Sequence, residues 1–181
     1  MKKANKQILI AVTGGISAYK ACELVRDLMK KGHAVSVMMT PEATQFVTAL
    51  TFRTLTNQPV IVDMFDQDLS WDPCHISLAE RADLVAVVPA TANFIAKLAN
   101  GLCDDISSCV IMATKAKILI APAMNDNMYS HPAFKQNLKK IKTFGYQIVS
   151  PIKGALACGK TAIGHLATVS EISREIEKLL K

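Results

Sequence analysis

The chain has 181 residues, enough to bury a core without disulfide or metal staples. Half of them are hydrophobic and 20% are charged, which excludes a disordered chain. Lys and Arg outnumber Asp and Glu by 21 to 15, a formal charge of +6 that favours anionic ligands. With aromatics at 6% and the basic residues scattered, a nucleic-acid platform is not expected.

The first apolar run, residues 8–12, is too short for a secretory signal and leads into Gly14-Gly15. No run approaches the ~18 residues of a membrane span. Cys22, Cys74, Cys103, Cys109 and Cys158 form no CxxC pair, so a reduced, cytoplasmic chain with no disulfide framework and no metal site is expected.

Short apolar runs alternate with helical patterns. Strands are predicted at 8–13, 34–40, 84–90, 117–123 and 146–151, with a weaker one at 59–65. Between the first two, Ala18, Ala21, Cys22, Val25, Leu28 and Met29 share one helical face, and Gly32 suits its end. His131-Pro132 opens a helix that Gly145 closes, and Thr168 with Glu171 opens the last. Asp104-Asp105 read as N-terminal charges of a helix. Strands this apolar are buried on both faces. The expected fold is a single α/β domain over 1–181, a three-layer Rossmann-like (flavodoxin-like) sandwich with a mainly parallel sheet. Ligands in such folds sit beyond the carboxyl ends of the strands.

The segment GALACGKT, 154–161, matches the phosphate-loop pattern letter for letter. A working phosphate loop feeds a long helix, whereas Gly164 would interrupt one here after a single turn. The match is accidental. Small residues around Cys158 instead suit a flap carrying one thiol, although a small buried cysteine is the plain alternative.

VTGGISAYK, 12–20, reads as strand, tight turn and helix. Gly14, Gly15 and Ser17 can hold a phosphate, or Ser17 can simply cap the helix. The pattern is not G-x-G-x-x-G, so a mononucleotide fits better than a dinucleotide. PATANFIAK, 89–97, places Thr91 and Asn93 at a helix start, where Ala90 and Ala92 let a flat ring approach, or where Thr91 only caps. His33, His131 and His165 show no ligand spacing and read as surface or capping groups.

Three segments together, PCHISLAERADLVAVVPATANFIAKLANGLCDD (73–105), PAMNDNMY (122–129) and ALACG (155–159), carry a resemblance. The chain resembles the homo-oligomeric flavin-containing cysteine decarboxylases, and within them the branch that acts on 4′-phosphopantothenoylcysteine in coenzyme A synthesis. The resemblance implies FMN held by Gly15, Ile16, Ser17, Thr40, Pro89, Ala90, Thr91, Ala92 and Met124. It implies substrate contacts from Asn125, Met128 and Ala157, His75 as acid–base in the oxidation step, and Cys158 as proton donor to the enethiolate carbon. Retention of Cys158 favours the coenzyme A substrate over peptidyl-cysteine. The resemblance further implies a homo-oligomer, a trimer or dodecamer, and a separate phosphopantothenate–cysteine ligase as metabolic partner, with no nucleic-acid or membrane partner. A flavin prenyltransferase and a non-catalytic regulatory flavoprotein are the alternatives. Three positions depart from the pattern: Lys160 stands for the usual Asp, His165 for Arg, and Tyr129 for Trp.

Overall fold

The computed structural model describes residues 5–64 and 74–181. Eight strands occur among them: β1 (Gln7–Val12), β2 (Ala34–Met39), β3 (Val60–Ile61), β4 (Leu84–Ala90), β5 (Lys117–Pro122), β6 (Gln147–Ile148), β7 (Ile152–Ala155) and β8 (Thr161–His165). Six form one parallel sheet in the order β3-β2-β1-β4-β5-β6. Every residue of β4 is buried, as a strand covered on both faces requires. The helices are α1 (Ala18–Lys30), α2 (Ala49–Thr56), α3 (Cys74–Arg81), α4 (Ala92–Asn100), α5 (Ile106–Ala113), α6 (Asp126–Ser130), α7 (Pro132–Thr143) and α8 (Val169–Leu179).

The period-2 alternation of β1 sorts the core into two layers. Ile8, Ile10 and Val12 pack with Ala21, Leu24 and Val25 of α1 and Ile172 and Ile176 of α8. Leu9 and Ala11 pack on the other side with Phe94 and Leu98 of α4, Val110 of α5 and Leu138 of α7. The α/β sandwich is as expected.

Most sequence features keep their assigned places. Ala18, Ala21, Val25 and Leu28 are buried on α1, and Gly32 follows it with φ +89°. Thr168 accepts from the Glu171 amide at 3.2 Å, and His131 accepts from the Ala133 amide at 3.2 Å. Asp105 caps α5 through a reciprocal box with Ser108, and both Asp104 and Asp105 lie 2.8 Å from Lys97.

Three features differ. The strand expected at 146–151 shrinks to β6, and that at 59–65 to β3, with residue 65 outside the described residues. His33 is no surface group: it is buried beneath α8, its Nε2 2.7 Å from Glu177. The largest difference is the second, two-stranded antiparallel sheet β7-β8, which takes up the whole GALACGKT segment. Gly164 therefore interrupts no helix; it lies within β8.

Candidate functional site

The chain leaves β1 toward β2 on one side and β4 toward β5 on the other, so a crevice opens beyond the carboxyl ends of β1 and β4. A cleft of about 540 Å³ occupies it. Its walls come from the loop 14–17 with the start of α1, the segment 89–92 entering α4, the segment 123–125 with Met128, and the β7-β8 hairpin.

The first wall is built by close backbone packing. A Cβ at Gly14 would run into the Glu42 side chain and backbone, so only glycine lets the loop lie there. Ser17 precedes α1 but makes no side-chain cap hydrogen bond, which leaves its hydroxyl for a ligand. Thr13, fully buried, ties this wall to the next: its hydroxyl donates to the Pro89 carbonyl at 2.7 Å and accepts from the Thr91 amide at 3.0 Å. The Val88–Pro89 peptide bond is cis. Thr91 lines the cleft, and its hydroxyl caps α4 by accepting from the Phe94 amide at 3.2 Å, which leaves its O–H free to donate.

The third wall presents Asn125. Its Oδ1 accepts from the Asn127 amide at 2.9 Å, capping α6, and its Nδ2 donates toward the Cys158 sulfur at 3.9 Å. The cap fixes which end of the amide faces the cleft. Tyr129, in the place of the family's Trp, stacks obliquely on Phe134 at 5.5 Å with Lys135 4.2 Å over its ring, and burial pushes its phenol pKa up.

The fourth wall is the hairpin. Its tip is closed by Leu156 donating to the Lys160 carbonyl at 2.8 Å and Gly159 to the Leu156 carbonyl at 2.9 Å. Cys158 sits exposed on that tip and lines the cleft. The base is docked by the Met124 amide donating to the Gly164 carbonyl at 3.0 Å. Gly164 has φ +132°, and a Cβ there would collide with the Met124 carbonyl. His165, read from sequence as a surface or capping group, lines the cleft instead. Its Nδ1 lies 3.0 Å from the Ala155 carbonyl and its Nε2 2.7 Å from the Lys20 ammonium. The ring lies against Gly154, where a Cβ would come within 2.9 Å of its Cγ.

Eleven of the fourteen expected site residues thus converge on one cleft: Gly15, Ile16, Ser17, Pro89, Thr91, Ala92, Met124, Asn125, Met128, Ala157 and Cys158. Three lie elsewhere. Thr40 is buried, receives the Ala43 amide at 3.3 Å and does not line the cleft. Ala90 is fully buried, its carbonyl accepting from Ala123 at 3.1 Å. His75 stands half-buried in the first turn of α3, away from the cleft walls. Thr13, Tyr19, Lys20 and His165 were not legible as site residues, because nothing local in their sequence context marks them.

The cleft fits a flavin mononucleotide. Small residues line it where a flat ring would enter, the loop before α1 offers an unspent hydroxyl beside a helix N-terminus, and Lys20 is its one charged side chain among the described residues. No group of three or more His, Cys, Asp or Glu among the described residues could hold a metal, and no helix there is long and apolar enough to cross a membrane.

Comparison with known proteins agrees with this geometry. The chain is 42% identical over 172 residues to the coenzyme A biosynthesis bifunctional protein CoaBC of Borreliella burgdorferi, covering 95% of this chain but 44% of that protein. It is 41% identical to a probable phosphopantothenoylcysteine decarboxylase of Streptococcus mutans, covering 97% of this chain and 99% of that one. The chain therefore spans less than half of the bifunctional relative and nearly all of the other. Among solved structures, the FMN-dependent cysteine decarboxylase SpaF superposes with a TM-score of 0.84 at 28% identity, covering 98% of this chain and 99% of that one. The family model described as Flavoprotein matches residues 1–181. With a mononucleotide cleft at the sheet's switch point and a family match along its whole length, the chain belongs to the Flavoprotein family.

Proposed function

We propose that this chain is an FMN-dependent decarboxylase that converts 4′-phosphopantothenoylcysteine to 4′-phosphopantetheine. The observation that carries the reading is the meeting of Asn125 and Cys158, 3.9 Å apart, across a cleft whose other walls suit a flavin. When bound, FMN supplies a two-electron sink for the substrate's thiol-bearing carbon and returns the pair after carbon dioxide has left.

The chain's own residues bind, orient and move protons. Asn125 offers an amide N–H to the substrate carboxylate without titrating itself, its other end being held by the α6 cap. Cys158 supplies the proton that the enethiolate carbon takes up, which leaves a thioaldehyde able to receive the hydride. The hairpin carries that thiol at the wall of the cleft. Lys160 follows on the exposed turn, where its carbonyl accepts from the Leu156 amide.

His75 is the acid–base of the oxidation step, supplied by a second copy of the chain, since it lies off the cleft of its own chain. Ile16 at 59% exposure, Tyr19 at 52% and Met128 at 49% ring the cleft with apolar surface that such a copy would cover. This supports a homo-oligomer. A trimer, alone or gathered into dodecamers, is the assembly proposed, with a phosphopantothenate–cysteine ligase supplying the substrate.

The test is direct. The purified protein should be yellow, with flavin near one per chain, and should release carbon dioxide from 4′-phosphopantothenoylcysteine without oxygen. A protein that neither retains nor takes up FMN would refute the reading.

A further inference from the structure

We infer that Lys20, oriented by His165, is the cleft's subsite for a phosphate monoester. The inference rests on the proposed function, since both the proposed cofactor and the proposed substrate carry that group.

The hydrogen-bond pattern fixes the state of the pair. An ammonium has only protons to offer, so the 2.7 Å contact requires the Nε2 lone pair of His165 to face Lys20. The imidazole proton is then on Nδ1, where it donates to the Ala155 carbonyl at 3.0 Å. The ring is neutral. It orients the ammonium without cancelling its charge.

Among the described residues, no carboxylate lines the cleft and no ion pair to Lys20 occurs. Two of its three N–H bonds therefore remain for a ligand. A half-buried positive charge with a neutral partner is completed by an anion. Lys20 also follows Ser17 by three positions on α1, so both face one side, beside the free N–H groups of the helix start.

The substrate's carboxylate is already served by Asn125 on the opposite wall. The anion left for Lys20 is the one with greater charge and three acceptor oxygens, a phosphate monoester. Because His165 belongs to β8 and Lys20 to α1, the same contact ties the base of the Cys158 hairpin to the subsite.

The phosphate has two sources, the flavin and the substrate, and one experiment separates them. In wild type, Lys20→Met and Lys20→Arg, dissociation constants are measured for FMN against riboflavin on reconstituted protein. For the holoenzyme they are measured for 4′-phosphopantothenoylcysteine against its dephosphorylated form. A charge-assisted contact of this kind corresponds to about tenfold to a hundredfold in affinity. Lys20→Met is expected to lose that factor of preference for the phosphorylated form in one of the two pairs, and Lys20→Arg to keep most of it. The pair that changes names the source. His165→Phe should move the same ratio in the same direction, by less. If Lys20→Met leaves both ratios within twofold, or weakens phosphorylated and dephosphorylated ligands equally, the subsite is refuted. A wild-type holoenzyme that binds the substrate but releases no carbon dioxide would refute the proposed reaction, while the binding ratios would still decide Lys20.

Discussion

The amide nitrogen of Asn125 points at the sulfur of Cys158 across 3.9 Å, although 33 residues separate them in the chain. One belongs to a helix cap, the other to a hairpin tip, and the docking of Met124 against Gly164 joins the two segments.

The cap makes Asn125→Asp a discriminating substitution. A carboxylate can still accept from the Asn127 amide, so α6 should keep its start. The N–H offered to the substrate is lost and replaced by a like charge. We expect decarboxylation to fall by at least a hundredfold with the melting temperature nearly unchanged, measured by carbon dioxide release and thermal denaturation. An active Asn125→Asp protein would remove the carboxylate-binding role.

Cys158→Ser should separate the two halves of the reaction. Carbon dioxide should still be released, because the proposed oxidation and carboxylate loss do not use this thiol. The saturated product should disappear and an unsaturated enethiol accumulate, two mass units lighter. Mass analysis of the product checks this, and a full yield of saturated 4′-phosphopantetheine would reject the assigned proton donor.

Gly164→Ala tests the docking of the hairpin. At φ +132° a side chain is strained, and the added Cβ would strike the Met124 carbonyl. We expect a destabilisation of about 2 kcal/mol and a shift of the product toward the enethiol, because Cys158 loses its seat. Unchanged product with unchanged stability would show that the hairpin does not depend on this contact.

Away from the cleft, α1 and α8 are joined through Asp27, Lys31 and the fully buried Ser173. Lys31 lies 2.7 Å from Asp27 and 2.5 Å from Ser173, whose hydroxyl donates to Asp27 at 2.5 Å. Partial burial pushes the Asp27 pKa up, but the hydrogen bonds from Lys31 and Ser173 outweigh it and hold the carboxyl below its usual range. A carboxyl lowered in the folded state stabilises the protein above the unfolded value of about 3.9, and that contribution is lost as pH falls through the lower folded value. The gap in melting temperature between wild type and Asp27→Asn should therefore be constant near neutrality and close below pH ~4. Ser173→Ala should cost about 1 kcal/mol in denaturant titration.

The parallel sheet and its main helices were legible because their signals are local. The apolar runs of β1, β2, β4 and β5, the single face of α1, and Pro132 with Gly145 around α7 each state their own structure. The hairpin was not. Its residues Ile152, Gly154, Ala162 and Gly164 form a small sheet resting on another part of the chain, so no alternation of its own announces strands. GALACGKT forms a hairpin and not a phosphate loop, and Gly164 breaks no helix there: that glycine serves a close approach to Met124. Lys20 and His165 stand 145 positions apart and met only in the folded chain. Nothing local marks His33 as buried, because its partner Glu177 lies 144 positions along the chain.

Absorbance of the bound cofactor, followed after rapid anaerobic mixing with 4′-phosphopantothenoylcysteine, probes the electron loan itself. The yellow band of the oxidised flavin should bleach and then return in the wild type, and bleach lastingly in Cys158→Ser. Product forming while the band stays constant would contradict the account.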